Sequence, residues 1–445
     1  MASDLLSIAK SGTNAARVAL DVTAQNIANA SSEGYVRRSV RLEEVSAAGG
    51  IGRIGDVSLS GVRVDQVIRN ADLFRQAEVR RTGADLARAD AEVSGLENIE
   101  AALEQTGVFA SIVEFDGALQ QLAVDPTDPA LRASVIESTR TMTRTFNIAA
   151  SSLDAAGAGI RFEAADDIEQ VNLLAAELSR VNLRLARAAD ATSDQTSLLD
   201  QRDSLLQQLS QRVDVSTVIA VDHTVEVRVG GTAGPVLVGS GTSGTMAMAT
   251  AGDGTISFTL DGNAVTPLSG ALLGRGQALV KLADARADLD TIADGLIATV
   301  NLAQANGAAL DGSPGTDMLT GSGAEGIALA FEQGALIATA PAGSPANSRD
   351  PGNLAALRSA LAANDASGDM DALLFDVSAT VRGRTLTRNT LDAIAGNARI
   401  ALAAQAGVDL DQEAINLVRF QQAFQASGRV MQVASDLFDT LLGIR

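Results

Sequence analysis

Small and apolar residues recur along the first helical segment of the chain at alternating steps of three and four positions. This spacing is the a/d seam of a heptad pattern, and it predicts a helix that packs along a partner helix. The N-terminal seam consists of Leu6, Ala9, Thr13, Ala16, Leu20, Thr23 and Ile27.

The last segment shows the same pattern more strongly, because a large apolar residue returns there every seven positions. A single amphipathic helix is more often buried within its own domain. Two matching seams at opposite ends of the chain favour a pair of coiled-coil helices, in which residues 1–41 pack against residues 407–445. The C-terminal seam consists of Leu410, Leu417, Phe420, Phe424, Met431, Ala434, Phe438 and Leu441.

Helical periodicity dominates the middle of the chain and gives way to a period of two near residue 213. Val225, Val227 and Val229 alternate with polar residues, and Gly-rich turns follow, which predicts antiparallel strands. The sequence therefore predicts a mainly α fold with an inserted β domain. The predicted domains are an N-terminal coiled-coil helix (1–41), a helical body in two parts (42–212 and 271–406), a small antiparallel β domain between them (213–270) and a C-terminal coiled-coil helix (407–445).

Two prolines divide the helical body. Pro126 and Pro129 lack a backbone N–H and restrict the residues before them, so the segment 125–129 predicts a turn between two helices. The helices predicted by periodicity cover 71–105, 129–155, 162–212, 277–305 and most of 371–405, with a loop-rich segment at 306–350.

Charge separates the ends of the chain from its middle. The formal net charge is -20, with 54 acidic and 34 basic residues. The basic and acidic residues of segments 1–41 and 407–445 cancel in sum, so the middle holds the negative charge. Neutral ends with apolar seams and a charged middle are typical of a polymer subunit with a packed interior. The negative charge disfavours a nucleic-acid partner, and the chain has no apolar run long enough to span a membrane.

Candidate chemical sites are weak. The chain has no Cys and a single His, His223, to which we assign a structural or surface role. Residues 239–244 match a dinucleotide-binding pattern, but strand and turn residues follow them where a phosphate site needs a helix. Asp311 and Asp317 lack the spacing of a calcium loop, and calcium binding at 311–317 stays a minor alternative. The sequence predicts no catalytic residue, cofactor or metal and a protein that is not an enzyme.

Both ends resemble a known group of proteins. The segment NIANASSEGYVRR near the N-terminus resembles the Asn-rich segment ending in Gly-Tyr of flagellar rod, hook and junction proteins, with Gly34 and Tyr35 at its end. The C-terminal QQAFQA at 421–426 resembles their terminal helix. Interior segments, LLDQRD at 198–203 above all, resemble the flagellar hook-associated protein family. Segments 61–74 and 300–319 resemble the same family.

The resemblance implies a structural subunit of the bacterial flagellum that joins hook to filament and polymerises as a ring at the distal end of the hook. It implies as partners further copies of the chain, the hook protein, the second hook–filament junction protein and a cytoplasmic export chaperone at the C-terminal helix. Asp4 and Lys10 interrupt the N-terminus, so we expect no cleaved signal peptide. The resemblance implies secretion through the flagellar type III pathway. The expected assembly interface comprises Leu6, Leu20, Ile27, Gly34, Tyr35, Leu410, Leu417, Phe420, Phe424, Met431, Phe438 and Leu441.

Two alternatives stay open at this point. Another flagellar axial subunit, from hook, rod or filament, would share both ends of the chain. A carbohydrate-binding or enzymatic β insert is a different class of function, disfavoured because Phe258 is the single aromatic residue between 213 and 270.

Overall fold

The computed structural model describes residues 2–32, 34–47, 58–188 and 193–442. Helices account for most of them, and every sheet among them is small and antiparallel. The predicted fold class, mainly α with small antiparallel β structure, is confirmed. The helices are α1 (Ala2–Ala28), α2 (Leu73–Glu104), α3 (Val108–Leu122), α4 (Pro129–Leu185), α5 (Ser193–Arg212), α6 (Ala271–Ala305), α7 (Gly323–Gly326), α8 (Gly352–Asn364), α9 (Ala366–Ala406) and α10 (Leu410–Leu442), with a 3-10 turn at Gly334–Leu336.

The strands pair close to one another in sequence. Pairs β1–β2, β10–β11 and β9–β12 form two-stranded ribbons, and β3–β4–β5 and β6–β7–β8 form three-stranded sheets. The strands are β1 (Arg38–Ala47), β2 (Ser58–Arg69), β3 (Ser216–Ile219), β4 (Val225–Arg228), β5 (Val236–Val238), β6 (Met246–Thr250), β7 (Ile256–Leu260), β8 (Asn263–Val265), β9 (Gly307–Ala308), β10 (Leu319–Thr320), β11 (Ala328–Leu329) and β12 (Ala340–Pro341).

The turn predicted at 125–129 lies between α3 and α4. The Asp128 carboxylate accepts hydrogen bonds from the backbone N–H groups of Ala130 and Leu131 at 2.7 and 3.2 Å, which caps α4, and Pro129 occupies its first turn. The break predicted between 155 and 162 is wrong, because α4 runs through it. Gly157 sits in that stretch against the Leu282 side chain, where a small residue suits helix packing.

Residues 213–270, predicted as one small antiparallel β domain, form two separate three-stranded antiparallel sheets. Each sheet is held by a different part of α4. Asn182 hydrogen-bonds both backbone groups of Val225 in β4, at 2.8 and 3.0 Å. Arg161 donates to the carbonyl of Gly254, in the turn before β7, at 3.3 Å. The positions of the predicted domain boundaries themselves stay a prediction.

The elements not predicted from the sequence include the β1–β2 hairpin and helices α3 and α8. The β1–β2 hairpin has a period-two pattern in the sequence: Val62 and Val64 alternate with charged residues in β2. Helix α3 buries Ile112, Phe115 and Leu119, whose spacing of three and four is helical.

The chain divides into two compact units. Unit 1 consists of Met1–Ala84, Val171–Thr245 and Asp392–Arg445, and unit 2 of Asp85–Gln170 and Met246–Leu391. Unit 2 holds one large apolar core, in which Phe115, Phe146 and Leu289 are at most 1% exposed. Unit 1 contains the terminal helices α1 and α10, the β1–β2 hairpin and α5. The candidate site therefore lies in unit 1.

Candidate functional site

Helices α1 and α10 pack against each other, as the two seams predict. One of their contacts joins two small residues. A Cβ atom on Gly12 of α1 would lie 2.8 Å from the Oγ atom of Ser427 on α10, so a larger residue at position 12 would require the Ser427 hydroxyl to move. Asp409 caps the start of α10, since its carboxylate accepts from the backbone N–H groups of Asp411 and Gln412 at 3.0 and 3.2 Å.

The N-terminal seam is buried along its middle and open at both ends. Ala9 and Ala16 are buried, and Leu20 is half-buried. Leu6 and Ile27 are 40% and 36% exposed. Two of the predicted interface residues on α1 thus remain accessible after the helices have paired.

The C-terminal seam is buried only in part. Leu417, Phe420 and Met431 are half-buried. Leu410, Phe424 and Phe438 are more than a third exposed, although they belong to the same seam. Helix α1 therefore covers only part of the seam, and Leu441 has a side chain outside the described residues.

A second apolar stripe on α10 was missed from the sequence. Its members lie outside the seam in two groups, residues 415–418 and 430–437, within which the spacing is three or four positions, and they are 42–63% exposed. The heptad seam describes one face of the helix only, so it does not include these residues. This outer stripe consists of Ile415, Val418, Val430, Val433 and Leu437.

The Gly34–Tyr35 turn ties the end of α1 to the hairpin. Gly34 has a φ of 77°, which glycine adopts without strain, and open space surrounds it, so the requirement is conformational. The Tyr35 hydroxyl donates to Asn26 Oδ1 at 2.9 Å, and the Asn26 amide donates to the carbonyl of Arg38 at 2.8 Å. Burial raises the pKa of Tyr35, which therefore stays protonated and keeps donating this bond.

The LLDQRD segment forms the centre of a buried charge cluster. Asp200 accepts a hydrogen bond from Arg38 at 2.9 Å, and its other oxygen lies 2.8 Å from Nε of Arg69. The second contact is an ion pair without hydrogen-bond geometry. Burial raises the pKa of Asp200 by more than the two arginines lower it. The segment thus acts by joining α5 to both strands of the hairpin.

Asp203 is bound more completely than Asp200. One oxygen accepts from Arg69 and Gln76 at 2.8 and 2.9 Å, and the other accepts twice from Arg202 at 2.8 and 3.0 Å. Burial pushes the pKa of Asp203 upward, but the charges of Arg202 and Arg69 outweigh it, so this pKa lies below its ordinary value. The cluster therefore contains a permanently ionised carboxylate at neutral pH.

A further ion pair connects α10 to this region. The Arg37 guanidinium donates to Glu413 at 2.7 Å, and the Glu413 side chain is only 2% exposed. The backbone N–H of Arg37 also donates to the carbonyl of Ala406, at the end of α9. These contacts hold the segment after α1 between α9 and α10.

The positions considered for chemistry have structural roles. The His223 carbonyl accepts from Arg202 at 2.8 Å, and residues 239–244 lead into strand β6, not into a helix. The Asp311 carboxylate accepts from the backbone and hydroxyl of Ser313, which makes a local turn. Within the described part of the chain, no group of three or more His, Cys, Asp and Glu residues is placed to hold a metal. No helix there is both long and apolar enough to span a membrane.

Three families match separate parts of the sequence. The family described as "Flagellar hook-associated protein FlgK helical domain" matches residues 93–319, which is half of the chain. "Flagella basal body rod protein" matches residues 6–35, and "Flagellar basal body rod FlgEFG protein C-terminal" matches residues 403–444. The two terminal matches cover α1 with its Gly-Tyr turn and α10.

Curated relatives carry the same family name. The chain is 23% identical to flagellar hook-associated protein 1 of Bacillus subtilis, over 98% of this chain and 97% of that protein. It is 28% identical to flagellar hook-associated protein 1 of Salmonella typhimurium, over 48% of this chain and 39% of that protein. The structure of the flagellar hook junction protein FlgK from Burkholderia pseudomallei matches with a TM-score of 0.65 and 13% identity, over 73% of this chain and 98% of that one.

The paired terminal helices, the helical interior and these matches agree with one another. The match over residues 93–319 distinguishes this chain from rod proteins, which share its two ends. The chain belongs to the family of flagellar hook-associated proteins FlgK.

Proposed function

We propose that this chain is a structural subunit of the bacterial flagellum that joins hook to filament by polymerising at the distal end of the hook. One observation carries the proposal. Helix α10 retains an exposed outer stripe after its seam has packed on α1, in a chain whose two ends match flagellar axial families. A long exposed apolar stripe marks a surface that another molecule covers.

The stripe gives each subunit two distinct apolar faces. Completely burying an exposed Val, Leu or Ile side chain contributes about 1.5–3 kcal/mol, and the members of the stripe, which are 42–63% exposed, would each contribute about half of that when a neighbouring helix covers them. The exposed ends of the seam, Leu6 and Ile27 on α1 and Leu410, Phe424 and Phe438 on α10, extend this surface. A subunit with two such faces can match unlike packing in the hook below it and the filament above it.

The proposed partners follow from this surface. They are further copies of the chain, the hook protein, the second hook–filament junction protein and a cytoplasmic export chaperone that covers α10 before assembly. The turn formed by the exposed Gly34 and the half-buried Tyr35, with Leu20, Leu417, Phe420, Met431 and Leu441, completes the proposed interface. Export without a cleaved signal peptide, through the flagellar type III pathway, is part of the same proposal.

Two other functions fit less well. A hook, rod or filament subunit would share the terminal helices but not the match to the FlgK helical domain. A carbohydrate-binding insert needs an exposed aromatic ring, whereas Phe258, the aromatic residue of the two three-stranded sheets, is 7% exposed.

A single charge on the outer stripe tests the proposal. Val433→Asp should prevent the junction from forming, because Val433 is 58% exposed in the free chain and an assembly would bury the charge. Cells that carry the variant should release filament subunits into the medium. Gln432→Asp adds the same charge one position away, on an exposed residue outside the stripe, and should leave filaments normal. Normal filaments with both variants would contradict the proposal.

A further inference from the structure

Two helices of unit 1 carry weak helix formers at the same level of the terminal pair. In α1 these residues are Ser11, Gly12 and Thr13. In α10 the pair Ser427–Gly428 lies beside them, since a Cβ atom on Gly12 would lie 2.8 Å from the Ser427 Oγ atom. Pairs of glycine and serine are common sites of helix bending.

The hydroxyl groups on either side of Gly12 also bond back to α1. The Ser11 hydroxyl donates to the carbonyl of Ile8, and the Thr13 hydroxyl donates to the carbonyl of Ala9, both at 2.8 Å. Such bonds compete for carbonyls that hold the helical turns, and they often bend a helix. Helix α1 is therefore weakened before and after Gly12.

Contact between the helices accounts for Gly12 but not for Gly428. A Cβ atom on Gly428 would meet nothing within 4 Å, so an alanine would fit there. Glycine inside a helix is less favourable than alanine, because it has more conformational freedom to lose. Gly428 thus makes α10 easier to bend at this level without a gain in packing.

The β1–β2 hairpin changes its register at the same level. Its pairing shifts between Glu44, the partner of Val62, and Ser46, and a shift of this kind bends a strand locally. Strand β2 meets α1 here, where the backbone N–H of Val62 donates to the Ser11 Oγ atom at 3.1 Å. A Cβ atom on Gly61 would lie 2.1 Å from the same Oγ atom. The irregularity therefore crosses all three elements.

Beyond this level the helix pair forms an arm, which we define as residues 2–10 of α1 and 429–442 of α10. Helical segments of these lengths are marginal in isolation. Both segments expose apolar side chains, so the arm carries much of the surface that the proposed function assigns to assembly. These side chains are 37–58% exposed and belong to Leu5, Leu6, Ile8, Val430, Val433, Leu437 and Phe438.

We propose that residues 11–13, residues 427–428 and the register shift of the hairpin form a flexible joint, at which the arm tilts when the chain assembles. The inference deepens the proposed function and rests on it, because a subunit between hook and filament meets neighbours with unlike packing. An arm that tilts can bury its apolar side chains against either kind of neighbour, whereas a rigid arm fits only one.

Stiffening the joint gives the first test. Gly428→Ala should slow hydrogen exchange of residues 429–442 in the free chain by about two- to fivefold, because alanine stabilises a helix interior relative to glycine. The apparent affinity for isolated hooks should fall by a similar factor, because the tilted state that binds is less populated. Gly383→Ala in α9 is the matched control, since its Cβ atom also enters open space, and it should leave hook binding unchanged.

A second variant separates stiffness from side-chain size. Adding Ala426→Gly to Gly428→Ala moves the glycine by two positions along α10 and restores a soft turn. Hook binding should then recover. A loss of binding that persists in the double variant would mean that the added methyl group obstructs a neighbour, and it would overturn the inference.

Distances between spin labels test the joint directly. The chain has no Cys, so Gln412→Cys with Asp436→Cys places two labels about 36 Å apart along α10, across the joint. Gln412→Cys with Gln425→Cys places them about 20 Å apart, before the joint. In the free chain the distance distribution should be broad across the joint and narrow before it, and binding to hooks should narrow the broad one. Equally narrow distributions in the free chain would overturn the inference.

The outcomes separate this inference from the proposed function. Wild-type chain that does not bind hooks would contradict the proposed function itself. Wild-type and Gly428→Ala chains that bind hooks equally would leave the proposed function standing and overturn the flexible joint.

Discussion

Each of the two units of this protein is stabilised internally by a different kind of contact. Unit 2 buries a continuous set of Leu, Ile, Val, Phe and Ala side chains contributed by α2, α3, α4, α6, α8 and α9. Unit 1 buries fewer large apolar side chains and relies on an Arg–Asp cluster and on two terminal helices that leave apolar surface exposed. An apolar core is buried within one chain, whereas the exposed apolar surface of the terminal helices is buried only when a partner covers it.

This difference suits two separate roles, a rigid body in unit 2 and an assembly surface in unit 1. A unit with a complete core can keep its shape before, during and after assembly. The terminal helices expose apolar side chains in the free chain, and assembly is expected to bury them. The account predicts that substitutions in unit 2 act on folding, while substitutions in unit 1 act on folding, on assembly or on both.

The largest expected effect is in the core of unit 2. Phe146→Ala should destabilise the free chain by about 3–5 kcal/mol, because Phe146 is fully buried and its removal leaves a cavity. Phe162→Ala is the matched control on the same helix, since Phe162 is 77% exposed, and it should change stability by less than about 0.5 kcal/mol. Urea unfolding followed by circular dichroism measures both. Equal effects would mean that unit 2 does not depend on its core.

The next effect concerns the charge cluster of unit 1. Asp203→Asn should destabilise the chain by about 3 kcal/mol at neutral pH, because it leaves Arg69 and Arg202 without their shared carboxylate. Asp200→Asn should lower the free energy of unfolding by clearly less than Asp203→Asn does, because burial disfavours the ionised form of Asp200. Equal losses at neutral pH would contradict the different environments assigned to the two carboxyls.

These two carboxyls also predict opposite responses to acid. The folded pKa of Asp203 lies below its unfolded value of about 3.9, so Asp203 contributes stability that is fully present above this pH and is lost as the pH falls through the folded pKa. The difference in stability between wild type and Asp203→Asn should therefore shrink below about pH 4. The folded pKa of Asp200 is raised, so acid should not diminish any contribution of Asp200 in this way. Melting curves between neutral pH and the acid limit of folding measure both trends.

A smaller effect is expected where α10 joins the rest of unit 1. Glu413→Gln should destabilise the attachment of α10 by about 1–2 kcal/mol, because it removes the charge that binds Arg37 at 2.7 Å. The change should appear as faster proteolysis of α10 with little change in the melting of unit 2. Asp436→Asn, farther along α10 at an exposed position, is the matched control and should leave proteolysis unchanged.

The sequence predicted the long elements well and the buried polar contacts poorly. Seams in α1 and α10 and periodicity in α2 and α6 are local signals, and the corresponding elements are present. The Arg38–Asp200 pair joins residues 162 positions apart, and no local pattern indicates which charges will meet. The split of residues 213–270 into two sheets depends on α4, whose Asn182 holds one sheet and whose Arg161 holds the other.

The interface residues also show that spacing in the sequence predicts the face of a helix but not how far a partner covers it. The seam predicted Leu417 and Phe420 on the face toward α1, where they are half-buried. It could not predict that Phe424 and Phe438 would stay exposed, because α1 has small residues along much of its buried face. The apolar residues of α10 outside the seam, Val433 among them, are visible in the sequence, but burial was needed to show that they are uncovered.

The central claim is that assembly completes the terminal helices of unit 1 and leaves unit 2 unchanged. Hydrogen exchange compared between the free chain and the chain assembled on hooks tests it most directly. The account predicts rapid exchange of α1 and α10 in the free chain, strong protection of both helices after assembly, and the same protection of α3 and α6 within unit 2 in both states. Terminal helices that are already fully protected in the free chain, or that gain no protection on assembly, would contradict it.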